Sequence, residues 1–145
     1  MPTRIPSDQI RNLQQIEAVV AGPADANRLF IIYGKVVAPL GVFSRGESQQ
    51  RIEVFSVLVG PTFTRQQFIQ ANATASFASI ALSSSEQGVA QWQILDVDAD
   101  WDDESGQVEL RIEAQVICTG SPQGQNVNIF GFNFAVTILA SVPAT

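Results

Sequence analysis

Several reactive residue types are missing or nearly missing from this sequence. Its 145 residues include no histidine, one cysteine and one lysine, and only 15% of them are charged. Without histidine, Ser-His-Asp and Cys-His nucleophile systems and histidine-ligated metal sites are excluded. The lone Cys118 excludes an internal disulfide, and its place in the apolar phase of an alternating run predicts a buried, inert thiol.

The charge balance narrows the range of partners. The net charge is −6, and phosphate contacts need clustered Lys and Arg, so we expect no nucleic-acid partner. The same acidity disfavours an anionic membrane surface. No apolar run approaches the roughly 18 residues of a membrane-spanning helix. The N-terminal residues lack a basic start followed by an apolar stretch, so we expect cytoplasmic synthesis without a signal peptide.

The residues that are present form apolar runs separated by turns. Apolar residues make up 46% of the chain, enough for one domain spanning residues 1–145. Runs that alternate, or are apolar on both phases, occur at 28–37, 51–60, 71–82, 89–101, 107–118 and 127–140. They predict an all-β fold, an antiparallel β-sandwich or barrel-like domain of about six to eight strands.

The N-terminal segment admits two interpretations. Ser7 is placed to cap a short helix. Apolar residues then recur close to helical spacing, at Ile10, Leu13, Ile16 and Val20. The stretch IEAVV is equally typical of a strand, so the pattern leaves residues 7–22 open between helix and strand. We expect residues 1–27 to pack on the domain or on a neighbouring subunit.

Strand phases can be predicted in the second half of the chain. A phase change predicts a β-bulge near Ile94 and Leu95, with Leu95 on the same face as Val97. In the next run the predicted inward residues are Val108, Leu110, Ile112, Ala114 and Val116. In the last run one face is predicted to carry Phe130, Phe132, Phe134, Val136 and Ile138.

Local signals add smaller predictions. Pro39 and Gly41 are predicted to end the strand that begins near Arg28, and residues 41–50 to form a loop. Thr64 with Gln67 resembles a capping box, which predicts one helical turn. Strand phase predicts that three aromatic residues lie in the core, namely Tyr33, Trp92 and Trp101. The aromatic residues near strand ends, Phe43 and Phe63, are predicted to be exposed.

The acidic stretch DVDADWDDESGQVEL, residues 96–110, raises the question of a metal site. Its spacing resembles an EF-hand loop, but Trp101 stands where that loop needs glycine and Gln107 where it needs a bidentate glutamate. A different calcium site remains a hypothesis. Its oxygen ligands would come from Asp100, Asp102, Asp103 and Glu104. No other cofactor is expected.

The acidic stretch also admits two further interpretations. A glycosidase needs two carboxyl groups about 5–9 Å apart, but nothing in the sequence marks a pocket that would separate their pKa values. A β-hairpin explains most of the pattern, with Trp101 and Val108 bracketing a six-residue tip and Gly106 supplying a positive φ. In the hairpin, acids and apolar residues alternate because one face meets water.

These observations favour a protein that works by assembly and not by catalysis. The chain has few charges, a Gln/Ser/Thr/Asn-rich polar surface, and small residues at 71–76 that allow close packing. We therefore expect no enzyme activity and no catalytic residues. The expected role is a structural subunit of a virus, phage or phage-like particle, as a capsid decoration or cement protein or a tail or neck component. Its expected partners are copies of itself or other structural proteins, contacted through the N-terminal segment and the last strand. The alternative is a carbohydrate-binding module with a structural calcium at the 100–104 turn.

Overall fold

The computed structural model describes residues 2–20, 27–84, 90–119 and 124–142. These residues contain one 3₁₀ turn, at Ser7–Gln9, and eight strands. The strands are β1 (Thr3–Arg4), β2 (Ile10–Val20), β3 (Asn27–Ser44), β4 (Ser48–Val59), β5 (Phe68–Ser84), β6 (Ala90–Trp101), β7 (Val108–Thr119) and β8 (Gln125–Ser141).

The strands form two four-stranded sheets. Sheet A has the order β1-β4-β7-β6 and sheet B the order β2-β3-β8-β5. All neighbouring strands run antiparallel except β1 and β4, which are parallel. The predicted all-β, antiparallel sandwich is therefore confirmed.

The core lies between the two sheets and follows the alternation of the central strands. In β7 the five residues predicted to point inward are all buried: Val108, Leu110, Ile112, Ala114 and Val116. Cys118 continues this series and is also buried. Phe132 of β8 sits at the centre of an aromatic cluster, with ring centroids 5.7 Å from Phe55 and 5.5 Å from Phe77. Such tilted pairs add about 0.5–1.5 kcal/mol each beyond the area they bury.

The predicted face of Phe130 is wrong. Its side chain is 47% exposed, whereas its neighbours Ile129 and Phe132 are both buried. The phase of β8 changes at Gly131, where an ideal Cβ would lie only 2.4 Å from the carbonyl oxygen of Val36. Because only a glycine allows the two backbones to come this close, the alternation of β8 shifts by one residue here. The buried residues are therefore odd-numbered up to Ile129 and even-numbered from Phe132 onward.

The predicted end of β3 is also wrong. The strand passes through Pro39 and Gly41 and ends at Ser44, so the predicted loop shrinks to residues 45–47. Its register with β8 shifts between Val37 and Leu40. Pro39 falls inside this irregularity, where the ladder does not require its missing N–H, which is why proline is tolerated there.

From Ile10 to Val20 the N-terminal segment is a strand and not an α-helix, and residues 21 and 22 lie outside the described residues. After the three-residue 3₁₀ turn, β2 pairs antiparallel with β3 from Ile10 to Val20. Arg11 pairs with Lys35 and Gln14 with Tyr33, so β2 carries an extra residue between these pairs. The bulge contains Asn12, whose φ of 53° is left-handed, a conformation that asparagine tolerates better than most residues.

The turn before β5 confirms the predicted capping box. The backbone N–H of Thr64 donates to Oε1 of Gln67 at 2.8 Å, and the N–H of Gln67 donates to Oγ1 of Thr64 at 3.3 Å. The turn stops after one repeat, at residues 65–67, and β5 follows.

The predicted exposure of Phe63 is wrong, because the residue is 4% exposed and its ring centroid lies 5.4 Å from that of Phe30.

Candidate functional site

The acidic stretch forms the hairpin between β6 and β7. Trp101 pairs with Val108, so the six residues between them are the tip, as the sequence predicts. The register shifts between Ile94 and Asp96, which confirms the predicted bulge. Leu95 is the bulged residue and is 41% exposed, so it does not share the inward face of Val97 as predicted.

The turn at the tip is held by its own side chains. Oδ2 of Asp102 accepts the backbone N–H of Ser105 at 3.0 Å and the Ser105 hydroxyl at 2.6 Å. Gly106 has a φ of 75°, which confirms its predicted role. Both hydrogen bonds stabilise the ionised carboxylate of Asp102 and so lower its pKa, the bond from the Ser105 hydroxyl more than the bond from the Ser105 N–H. The carboxylate therefore closes the turn.

Trp101 fixes the hairpin to the loop after β4. Its indole Nε1–H donates to the carbonyl oxygens of Phe63 at 3.0 Å and Gly106 at 3.1 Å. The Arg65 guanidinium lies 5.9 Å from the centre of the indole ring. Gln107 adds a second tie, since its side-chain amide donates to the carbonyl oxygen of Gly60 at 2.8 Å. Trp101 is thus half-buried and structural.

The four acids of the calcium hypothesis are not gathered around one point. Asp100 uses Oδ1 to accept the N–H of Trp101 at 2.8 Å, and Asp102 is engaged by Ser105 as described above. Asp103 and Glu104 are exposed at the tip. In the described ranges, no group of three or more His, Cys, Asp or Glu side chains could hold a metal ion.

The outer face of sheet A is strongly acidic. Asp96 of β6 stands directly opposite Glu113 of β7, and Asp100 opposite Glu109. Glu109 forms ion pairs with Arg111 and Arg4, and in each pair a guanidinium nitrogen lies 2.5 Å from a carboxylate oxygen of Glu109. These carboxylates line an open sheet face and not a cleft.

Cys118 has no access to solvent. Burial raises the pKa of its thiol, and Sγ lies 3.6 Å from the carbonyl oxygen of Val42 and 3.8 Å from that of Gln125. A thiol that stays protonated is a poor nucleophile, which fits the predicted inert role.

A shallow groove of about 380 Å³ lies beside Trp92. Its lining is Ala90, Gln91, Trp92, Gln93, Gln115 and Ile117. The side-chain amide of Gln93 donates to that of Gln115 at 2.6 Å, so the glutamines form a ladder on the sheet. Trp92 is 37% exposed, and the prediction that it lies in the core is wrong. It sits on edge strand β6, which no further strand flanks in the part of sheet A that the structure describes.

Among the described strands, β2 carries the most exposed large apolar residues. Every residue from Arg11 to Val20 is exposed. Four of them are large and apolar: Leu13 at 54%, Ile16 at 50%, Val19 at 67% and Val20 at 38%. One edge of β2 pairs with β3, and its other edge pairs with no strand in the described part of the chain. The apolar character of these residues can be read from the sequence, but their position outside the core cannot.

Both faces of β2 are apolar in part. Ile16 pairs with Ile31 and so lies on the outer face of sheet B, whereas Val19 pairs with Arg28, on the inner face shared with buried Phe30. The inner face remains exposed because the strand at the corresponding edge of sheet A, β1, has only two residues. Glu17 is the single charge between residues 12 and 20 and forms an ion pair with Arg28.

Comparison of the chain with protein-family models, with curated proteins and with solved structures gave no match. Among the described residues, no helix has the length and apolar character needed to cross a membrane.

Proposed function

We propose that the protein is a non-enzymatic structural subunit that works through protein–protein contacts. The observation that carries this proposal is β2, which has four exposed apolar side chains and one edge that no strand pairs with in the described part of the chain. Long, apolar edge strands are ready templates for pairing with another chain, and natural proteins usually blunt them with Lys, Pro or a covering segment. Between residues 12 and 20, β2 contains neither lysine nor proline.

The rest of the surface supports the same role. A chain with 15% charged residues desolvates few ions when its surfaces meet, which favours repeated close contacts. By contrast, β8 is central in sheet B and pairs with both β3 and β5, so both of its edges are occupied. We therefore assign assembly to β2 and not to the last strand.

The particular assembly that we propose is a virus, phage or phage-like particle, with this chain as a capsid decoration or cement protein or a tail or neck component. Small β-domains with few charges and an exposed pairing edge suit repeated positions on such a particle. One composition and fold type can serve many functions, so the presence of the chain in particles is the property to measure.

The test follows the chain into high-mass particles. A tagged chain would be expressed in the cells that encode it, and lysates would be separated by density gradient and viewed by negative-stain electron microscopy. We expect the wild-type chain in the particle fraction and Ile16→Lys outside it. The matched control is Ile52→Lys, at a β4 residue that is 49% exposed, which should stay in the particles. A wild-type chain absent from every particle fraction refutes the proposal.

The groove beside Trp92 favours a second candidate function, a carbohydrate-binding module. Trp92 and three glutamines line this groove at the edge of β6. An indole can stack on a neutral sugar, and side-chain amides can hydrogen-bond its hydroxyl groups. Glycan-array binding by the wild-type chain, lost in Trp92→Ala but kept in Phe43→Ala, would establish it. A melting temperature raised by calcium and lowered by EDTA would extend it to the 100–104 turn. An array without bound glycans rejects it.

A further inference from the structure

We infer that the partner of β2 is β2 of a second copy of this chain, in an antiparallel pair centred on Ile16. The inference rests on the proposed function, since it names the partner of the edge assigned there to assembly. It would join two copies of sheet B into one continuous eight-stranded sheet.

The spacing of the exposed apolar residues favours a partner strand. Leu13, Ile16 and Val19 are three residues apart, and side chains three apart on a strand point to opposite faces. A domain stacked on one face of β2 would cover only part of this set. A strand added along the free edge flanks both faces at once and can contact all three side chains.

The sequence of β2 is also self-complementary about Ile16. A twofold axis through Ile16 sets Leu13 opposite Val19 of the second copy and Ile16 opposite its own equivalent. It also sets Gln15 opposite Glu17 of the second copy, where an amide can donate to a carboxylate. An interface with twofold symmetry requires this kind of self-matching surface.

Neighbouring registers match less well. An axis through Glu17 places two carboxylates directly opposite each other, which is destabilising. An axis through Ala18 sets Val19 opposite Glu17 of the second copy and leaves Leu13 without an apolar partner. The axis on Ile16 is therefore the register that pairs the three most exposed apolar positions of β2 and keeps like charges apart.

The outer face of sheet B continues the same contact. Ile16 pairs with Ile31, and the next residue on this face, Ala18, pairs with Leu29. Leu29 in turn pairs with Leu139 of β8. The twofold axis brings the corresponding residues of both copies together at the middle of the joined sheet, so that the apolar strip is continuous across the interface.

Cysteine cross-linking tests the register. Opposite residues in an antiparallel pair have Cα atoms about 4.5–5.5 Å apart, within the range that a disulfide spans. We expect Ile16→Cys to give a disulfide-linked dimer on mild oxidation. Leu13→Cys alone should not, whereas Leu13→Cys combined with Val19→Cys should. The wild-type chain, with its buried Cys118, is the blank, and Phe43→Cys, which is 55% exposed in the wild type, is the matched control.

Light scattering after size exclusion tests the interface itself. We expect a wild-type mass twice the 15.7 kDa of one chain. Ile16→Lys should weaken dimerisation by about tenfold or more, as expected for a central apolar contact. The melting temperature at low concentration should not change, and Ile52→Lys should leave the mass unchanged. A wild-type monomer at all concentrations, or a dimer that Ile16→Lys does not weaken, overturns the inference.

These outcomes separate the inference from the proposed function. A chain that is monomeric alone, but enters particles through β2, keeps the proposed function and replaces the second copy by a different protein. A dimer with the expected cross-links that never enters a particle keeps the inference and refutes the proposed function.

Discussion

The half-buried indole of Trp101 offers a direct test of whether the acidic stretch is structural. Its Nε1–H donates to two carbonyl oxygens, those of Phe63 and Gly106. The substitution Trp101→Phe keeps an aromatic ring and removes this donor. The carbonyl of Gly106 would still accept the N–H of Phe63 at 2.7 Å, so the main loss falls on the carbonyl of Phe63.

The expected loss of stability in Trp101→Phe follows from these hydrogen bonds. Losing the partner of a half-buried polar group costs about 1–3 kcal/mol, so we expect the free energy of unfolding to fall by about 2 kcal/mol. For a chain of this length the melting temperature should fall by roughly 4–8 °C, taking about 2–4 °C per kcal/mol. The hairpin tip should also exchange its amide hydrogens faster, because it loses its tie to the loop after β4.

Urea unfolding followed by far-ultraviolet circular dichroism measures the effect, since the substitution removes a fluorophore. The matched control is Trp92→Phe, at an indole that is 37% exposed, where we expect a change within about 0.5 kcal/mol. Equal costs for the two substitutions would refute the assignment, because the indole hydrogen bonds would then not stabilise the hairpin.

Three further predictions concern the hairpin tip and strand β8. Because the pKa of Asp102 is lowered in the folded state, its contribution is present above the unfolded pKa and is lost as pH falls through the folded one. The melting-temperature advantage of wild type over Asp102→Asn should therefore shrink below about pH 4. Gly131→Ala should destabilise by about 1–3 kcal/mol in urea, because its Cβ would lie 2.4 Å from the Val36 carbonyl oxygen, whereas Asn133→Ala, at an exposed residue of the same strand, should change little. The melting temperature in excess calcium should equal the melting temperature in EDTA. A higher melting temperature in calcium would support the cation site at residues 100–104.

Features set by local alternation can be predicted from the sequence. The β6–β7 hairpin has its predicted tip because acids alternate with apolar residues on both sides of a turn that ends at Gly106. The bulge near Leu95 follows from the same rule, since two apolar phases cannot both face the core without an inserted residue. The face of Leu95 itself was wrong, because the phase pattern does not reveal which of the two residues is extruded.

Features set by the approach of distant strands cannot be predicted this way. In β8 the phase changes at Gly131 because β3 comes close there, and the alternation of aromatic residues from Phe130 onward hides that change. In β3 the strand continues through Pro39 because its register with β8 is irregular at that point. Both errors come from contacts between residues roughly ninety positions apart in the chain, which local periodicity does not contain.

The N-terminal segment shows how one spacing can support two opposite interpretations. Ile10, Leu13, Ile16 and Val20 fall close to helical spacing, which predicts one apolar face. Leu13, Ile16 and Val19, the most exposed apolar residues of β2, are likewise three residues apart. In the strand that forms, the same spacing distributes these side chains over both faces, and neither sheet of the sandwich can bury them. The spacing that favours a helix in isolation thus places apolar side chains on both faces of β2, where the two-residue β1 of sheet A is too short to cover the inner one. Only a neighbour that reaches both faces along the free edge removes all three side chains from water, and a strand related by a twofold axis through Ile16 does so with matched partners.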